Sequence, residues 1–340
     1  RRTHRYQFHC AREQPQRTRI GPTNQKMVAR QIQILRGALL YYGLVLPLSY
    51  LPLRILYVVA DFLFFLLCTI LPYRKKVIDQ NLLLAFPTKT TEERNQIRKD
   101  FYRYFADLLV ESIKNLTISE KQLRERMQLD NPEILKQLQA LGKPVLLVAG
   151  HYNNWEWLIT AQALWFKNPN FGIGMPLSHP FWNHKLTARR ERFGLEVIHA
   201  QNYQKAFQSK QPIVLVLADQ APSSANNCLW LPFLGLETAV IFGPEYMANK
   251  HDCAVVFANI SNSKRGYYNI KLEVLVENSK NLPYQALTQL HVQKLEQQIL
   301  DNPARWLWSH KRWKHQKPSQ WDQTIQELEK KFESNFRDHV

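Results

Sequence analysis

The chain has 340 residues and a formal net charge of +17 at pH 7, because 45 Lys and Arg outnumber 28 Asp and Glu. Hydrophobic residues make up 45% of the chain, which excludes a collagen-like, low-complexity or globally disordered protein. The length predicts about two structural units. The four cysteines form no CxxC pair, which argues against a zinc ribbon or disulfide scaffold and favours a reducing compartment. So basic a protein is expected to meet an anionic partner: nucleic acid, an acidic membrane surface or an acidic protein.

The first 26 residues are basic, with seven Lys or Arg against one Glu and few apolar side chains. They lack the apolar region that follows the basic start of a signal peptide. We expect 1–26 to be a disordered extension, with Met27 as the functional start. The alternative is a basic arm that binds nucleic acid.

Residues 27–76 are expected to form a membrane-anchoring helical segment, because 37–71 is strongly apolar. The cleanest run, 55–71, would reach about 26 Å as a helix against a hydrocarbon core of about 30 Å, and Asp61 would cost about 2.5–3.5 kcal/mol there. Two interpretations stay open: a marginal transmembrane helix, or an interfacial helical pair bent at Pro47 and Pro52. The basic residues at 74–76 favour a cytoplasmic position for the remainder of the chain.

Residues 77–318 alternate helix-like and strand-like patterns and are expected to form an α/β domain, with a helix at 319–340. The fully apolar run 143–150 is typical of a central parallel strand. The fold class is α/β, a mostly parallel sheet with helices on both faces. Further strands are expected at 171–175, 195–200, 213–218, 254–260 and 268–276. Helices are expected at 91–115, 130–141, 153–166, 180–193, 202–210, 244–250 and 284–300.

The pattern His-x4-Glu follows the predicted strand at 143–150, with His151 and Glu156. Composition alone predicts about one such spacing by chance, and a second occurs at His291 and Glu296. The first lies between a strand and a helix, where open α/β sheets place their sites. The second lies within a helix, which points residues five apart in different directions, so we expect it to be neutral for activity. A structural alternative for the first is a capping box, with Asn153 as N-cap and Glu156 at N3.

A His with a carboxylate partner is suited to acyl transfer. A neutral imidazole can take a proton from an attacking alcohol, and a carboxylate on its other nitrogen fixes the tautomer. The chain has no Gly-x-Ser-x-Gly sequence and no cysteine near either motif. Direct attack by a substrate hydroxyl on an activated acyl donor is therefore favoured over an acyl-enzyme.

The run Gly-His-Tyr-Asn-Asn-Trp-Glu-Trp at 150–157 resembles the signature of the lipid A biosynthesis (lauroyl/myristoyl) acyltransferases, which are related to glycerolipid acyltransferases. Similar blocks occur in the same order at 189–194, 217–220, 232–235, 243–245 and 306–314. The resemblance covers about 30–317. It implies an acyltransferase-like fold and a monotopic or single-span enzyme on the cytoplasmic face of the bacterial inner membrane. That enzyme would move an acyl chain, usually from acyl carrier protein, to a hydroxyl of the Kdo-modified lipid A precursor.

The resemblance also implies roles for individual residues. His151 would be the general base, Glu156 its orienting partner, and Arg190 the group that holds an oxyanion or a donor phosphate. Arg190 could instead belong to the solvated face of a basic helix, and Asp219 could anchor Arg190, shape the site or simply end a strand. The other substrate-binding candidates are Gln220, Gly243, Glu245, His310 and Arg312. No cofactor or metal is implied.

The partners expected are an acyl carrier protein thioester or acyl-CoA as donor, a glycolipid acceptor and a membrane surface, and no nucleic acid. Lys185, Arg189 and Arg192 could steer an acidic carrier protein. The Trp- and cation-rich stretch 306–314 fits a membrane surface, single-stranded nucleic acid or a half-buried strand. The alternatives for the whole chain are a lysophospholipid or lipoamino-acid acyltransferase and a membrane-tethered nucleic-acid-binding protein.

Overall fold

The computed structural model describes residues 22–226 and 228–337, so most of the expected basic extension at 1–26 lies outside the described residues. The first helix, α1 (Pro22–Leu40), continues through a π-helical turn at Tyr41–Val45 into α2 (Leu46–Tyr50). Within the described residues, Ala29–Tyr50 is the one helical stretch long and apolar enough to cross a membrane, by length and composition. It lies upstream of 55–71, the run that the sequence singled out.

The run 55–71 forms most of α3 (Leu53–Thr69), which packs along α5 (Thr91–Lys114). The short helix α4 (Lys75–Ala85) lies between them in the chain. One face of α3 is buried through Leu56 and Ala60, and the opposite face exposes apolar side chains. Asp61 pairs with Arg103 and Arg265, which explains how a carboxylate is accommodated in this apolar helix. A transmembrane position for 55–71 is therefore not favoured: the helix is docked on the α/β domain.

A seven-stranded sheet forms the centre of the domain, and two further strands form a separate antiparallel hairpin. The strands are β1 (Met127–Leu129), β2 (Val145–Ala149), β3 (Asn170–Gly174), β4 (Leu195–His199), β5 (Ile213–Leu217), β6 (Leu229–Phe233), β7 (Leu236–Val240), β8 (Ala254–Lys264) and β9 (Tyr267–Val276). The sheet has the order β1-β9-β8-β2-β5-β3-β4, and β6 pairs with β7 in the hairpin. All neighbouring pairs of the sheet are parallel except β8 and β9.

Helices cover both faces of this sheet. Successive residues of β2 point to opposite faces, so Leu147 joins the apolar cluster that contains α5, while Leu146 joins a second cluster on the other face. This two-sided burial explains why β2 has no polar residue. The remaining helices are α6 (Glu120–Arg126), α7 (Ile134–Ala140), α8 (Trp155–Trp165), α9 (Pro180–Arg190), α10 (Gly243–His251), α11 (Ala286–Asp301) and α12 (Trp321–Phe336).

The predicted fold class is confirmed, and the differences are local. The sequence patterns did not predict the short strand β1 or the hairpin β6–β7. Helix α7 begins four residues later than the predicted 130–141, and the stretch expected to be helical at 202–210 is a 3₁₀ segment, Ala200–Gln208. No strand forms at 306–314, where only Trp306 makes a bridge, to Tyr152.

Candidate active site

The site begins at the turn between β2 and α8. Gly150 lies so close to α11 that an added Cβ would come within 2.6 Å of a Leu295 methyl group, so this position suits only glycine without repacking. Asn153 adopts a left-handed conformation, with φ of 48°, and its backbone N–H donates to the carbonyl of Arg305. The Asn154 side chain then caps α8 by accepting from the backbone N–H of Trp157. The turn therefore holds His151 at the carboxyl end of β2.

The His151 ring is bound by Asp219. Its Nδ1 lies 2.6 Å from Asp219 Oδ1, and its backbone N–H donates to Asp219 Oδ2 at 2.9 Å. A third donor, the indole N–H of Trp306, reaches Asp219 Oδ2 at 2.8 Å. This pairing follows from topology: Asp219 comes just after β5, which lies beside β2 in parallel register, so the two residues meet at one edge of the sheet.

The electrostatics of the pair fix the histidine tautomer. Burial alone would raise the pKa of Asp219, but the charge and hydrogen bond of His151 and the Trp306 hydrogen bond outweigh it and lower the pKa to about 2. An ionised carboxylate accepts only, so we assign the proton of neutral His151 to Nδ1. Nε2 then carries the ring's lone pair, and it accepts from the side-chain amide of Gln220 at 3.2 Å. Gln220 is exposed, so a substrate hydroxyl can reach the lone pair when this side chain moves aside.

Glu156 does not accept from the His151 ring, contrary to the role expected for it. Its carboxylate is bound by two arginines of α9: Arg190 donates through both Nε and Nη2, and Arg189 through Nη2 at 2.6 Å. Burial would raise the pKa of Glu156, but these guanidiniums lower it to about 2. The capping-box alternative is also wrong, because Asn154 is the N-cap and Glu156 stands at the second helical position.

The two arginines leave a positive charge beside the site, since one carboxylate faces two guanidiniums. Arg189 also donates to the carbonyl of Ser112, which fixes it to α5. The Arg190 side chain keeps about 19% of its surface exposed. Arg190 can therefore meet an anion or a developing oxyanion while its position is held by Glu156.

Two further candidates lie next to the His151–Asp219 pair. The His310 ring accepts from the backbone N–H of Ala221 at 3.0 Å and so positions the loop that carries Gln220. Burial lowers the pKa of His310 to about 4, so this ring is neutral at pH 7. Arg312 is buried and donates to the carbonyl of Ala239. Burial lowers its pKa to about 10, which leaves it charged.

Glu245 and Gly243 lie at the start of α10, and their contacts give them another function. The Glu245 carboxylate is fully buried and accepts from the backbone N–H groups of Gln285 and Thr288 and from the Thr288 hydroxyl. It thereby joins the start of α10 to the start of α11. An added Cβ at Gly243 would meet nothing within 4 Å. The hydrogen bonds of Glu245 explain that residue by packing, without a substrate, whereas no contact in the structure requires glycine at position 243.

The stretch 306–314 is part of the core and does not present its indoles to a membrane. Trp306 and Trp308 are buried, and the Trp313 indole donates to the Thr238 hydroxyl. The expectation of a membrane-surface motif here is therefore wrong, because the Trp306 indole donates to Asp219 and packs edge-to-face against Trp308. Trp306 is the site residue that sequence reasoning missed most clearly; its place in a matching block was the available signal.

The basic residues of α9 and of the turn that follows it, Glu191–Phe193, are also engaged within the chain. The Lys185 ammonium lies over the rings of Tyr41, Tyr42 and Phe181. Arg192 donates to two backbone carbonyls at the end of α5 and just beyond it. Helix α9 therefore joins the N-terminal helices at one end to Glu156 at the other, and charge reversals there would disturb packing as well as any carrier protein.

The second His-x4-Glu pair stays apart, as helix geometry predicts. Glu296 accepts from the backbone N–H of Leu234, in the turn between β6 and β7. His291 is buried and points about 140° away from Glu296 around the helix, and burial lowers its pKa to about 4.

Comparison with known proteins shows the family to which the chain belongs. The sequence model described as "Bacterial lipid A biosynthesis acyltransferase" matches residues 25–315. The chain is 24% identical over 241 residues to a lipid A biosynthesis acyltransferase of Haemophilus influenzae, covering 67% of this chain and 72% of that protein. It is 20% identical over 243 residues to a lipid A biosynthesis palmitoleoyltransferase of Escherichia coli K12 and to an acyltransferase of Shigella flexneri, covering 71% of this chain and 79% of each. The chain therefore belongs to the bacterial lipid A biosynthesis acyltransferases.

Proposed function

We propose that this enzyme transfers a fatty acyl chain from an acyl thioester directly to a hydroxyl of a lipid A precursor, with His151 as general base. The observation that carries the proposal is the His151–Asp219 pair at the carboxyl edge of the parallel sheet, with the unprotonated Nε2 covered only by the exposed Gln220 side chain. The names of the relatives, which are lipid A acyltransferases, support the acceptor class.

In the proposed reaction, His151 Nε2 removes the proton of the acceptor hydroxyl as its oxygen attacks the thioester carbonyl carbon. Asp219 stabilises the imidazolium that forms. The tetrahedral intermediate then expels the thiolate, and the imidazolium returns its proton to that sulfur. One ester forms, one thioester breaks and a free thiol leaves, with no acyl-enzyme.

Arg190 is the proposed partner for the negative charge of this reaction. Its guanidinium is held by Glu156 through two hydrogen bonds, so it costs little reorganisation when an oxyanion develops nearby. Glu156 thus acts on Arg190 and not on the imidazole. A donor phosphate is the other anion that this side chain could hold.

The proposed donor is an acyl carrier protein thioester, with acyl-CoA as the alternative. The proposed setting is the inner membrane, with the catalytic domain on the cytoplasmic face. Exposed leucines along Ala29–Tyr50 and the basic cluster at 74–76 support this position. In this arrangement 27–76 anchors an acyltransferase domain at 77–318, followed by the helix at 319–340.

Purified full-length protein in detergent tests the proposal. With acyl carrier protein thioester and lipid A precursor, we expect release of free thiol and a product heavier by one acyl chain. Parallel reactions with acyl-CoA and with a lysophospholipid acceptor separate the donors and the rival acyltransferase activity. His151→Ala should lower turnover about 100- to 10,000-fold. Absence of product with every donor, together with salt-dependent DNA binding, would favour the nucleic-acid alternative.

A further inference from the structure

A small internal cavity of about 10 Å³ lies directly behind Asp219. Three of its lining residues are polar, namely Asp219, His291 and Arg312, and the other lining side chains are apolar. The three polar residues come from the end of β5, from α11 and from the C-terminal segment, and each has at most 5% of its surface exposed. A cavity of this size holds about one water molecule.

Two atoms of these residues are buried without a hydrogen-bond partner: Nε2 of His291 and Nε of Arg312. Burying a polar atom without a partner costs about 1–3 kcal/mol, so such atoms are usually satisfied by protein or by ordered water. Here both belong to side chains that line one cavity with one carboxylate. A small molecule that both donates and accepts hydrogen bonds would satisfy these atoms.

Asp219 has capacity for one more donor. A carboxylate offers about four lone-pair sites. Oδ2 accepts from the His151 backbone and Trp306, and Oδ1 accepts from the His151 ring, so one site on Oδ1 remains. A water that donates to Oδ1, accepts from Arg312 Nε and bonds His291 Nε2 would have three polar partners, within the usual range for buried water.

We propose that one buried water joins His291 and Arg312 to Asp219, and that these two side chains are positioning residues for the His151–Asp219 pair. They touch no substrate, because they lie behind the carboxylate and are buried. Arg312 places a fixed positive charge near Asp219, and neutral His291 completes the water's hydrogen bonds. The charged and titratable groups that interact with Asp219 are then His151, His291, His310, Arg312 and the buried Tyr104 of α5. This inference rests on the proposed function for its kinetic test only.

Helix geometry alone predicts that His291 is neutral for activity, whereas the proposed water predicts an effect on kcat. The variant His291→Leu removes one partner of the water. The bond lost is a neutral one, and it holds the water that donates to Asp219, so we expect kcat to fall about 3- to 10-fold while the KM of both substrates changes little. His291→Gln keeps a polar group and should restore most of kcat. The matched control is His251→Leu, since His251 also has a buried unpartnered Nε2 but does not line this cavity; its activity should equal that of the parent.

A crystal structure that resolves ordered water tests the proposal without activity and applies even if His291→Leu does not fold. We expect water density within hydrogen-bond distance of Asp219 Oδ1, His291 Nε2 and Arg312 Nε. A dry cavity, or a His291→Leu enzyme with parental kcat, would overturn the inference while leaving the proposed reaction intact. A parent protein that transfers no acyl chain but holds the water would overturn the proposed function alone.

Discussion

The most informative single change is Asp219→Asn, because it alters charge and donor pattern without altering shape. Asp219 accepts three hydrogen bonds: one on Oδ1, from the His151 ring, and two on Oδ2, from the His151 backbone and the Trp306 indole. Asparagine has one oxygen and one NH₂ group. If its oxygen took the Oδ1 position, the NH₂ would face two N–H donors and lose both hydrogen bonds. The oxygen is therefore expected at the Oδ2 position.

With the NH₂ group at the Oδ1 position, the introduced asparagine donates to His151 Nδ1. The proton of the neutral ring must then move to Nε2, and the atom that should accept the substrate's proton no longer has a free lone pair. The imidazolium formed in the reaction also loses its carboxylate. An equivalent substitution in a Ser-His-Asp triad lowers turnover about 10,000-fold, so we expect a loss of about 1,000- to 10,000-fold in kcat here.

Thiol release from the acyl donor, measured at several pH values, checks this expectation. The fold should be retained, since the side chains are isosteric, and KM should change little. Glu156→Gln serves as the comparison, because its loss acts on the arginine pair instead of the ring. If Asp219→Asn kept parental turnover while Glu156→Gln abolished it, the assignment of Asp219 as the ring's partner would be refuted.

Three further changes test other parts of the account. Four leucines of the N-terminal helices are exposed: Leu35, Leu39, Leu40 and Leu44. Replacing all four with Gln should move the protein out of the membrane fraction without lowering its melting temperature. The control is Leu300→Gln, at an exposed leucine elsewhere, which should leave the protein in the membrane fraction. Glu111 of α5 is buried and accepts from Tyr57, Asn154 and Tyr268. Burial raises its pKa to about 7, so its contribution to stability is full below pH 4.5 and is lost as the pH rises towards 7. Between these two pH values the unfolding free energy of Glu111→Gln, measured by denaturant titration, should fall by about 3 kcal/mol less than that of the parent. Arg190→Lys should lower kcat about 10- to 100-fold because an ammonium cannot make the two-point contact with Glu156, while Arg192→Lys should lower the melting temperature and keep kcat.

The strands near the site could be predicted because each is marked by a local signal. The apolar run at 143–150 predicted β2 and the position of His151 at its end, and the run at 213–218 predicted β5. The sequence also predicted that Asp219 follows a buried strand, and parallel strands that are neighbours place their carboxyl ends together. That β5 is the neighbour of β2 could not be predicted, because strand order depends on packing across the whole sheet.

The partners of the acidic residues could not be predicted for the same reason. Glu156 is five residues from His151, yet α8 carries it towards α9 and its arginines, while Asp219, 68 residues away, meets the ring. Sequence spacing favoured Glu156 as the partner of the His151 ring, but tertiary packing brings Asp219 to the ring instead. Likewise, the alternation of Trp and basic residues at 306–314 gave no sign that the rings would be buried behind the site.

The sharpest test of the central claim is the mass spectrum of lipid A from a strain of the source bacterium that lacks this gene. We expect lipid A that is lighter by one acyl chain, with the normal mass restored by the parental gene and not by His151→Ala expressed at the same level. Lipid A of unchanged mass in the deletion strain, or full restoration by His151→Ala, would contradict it.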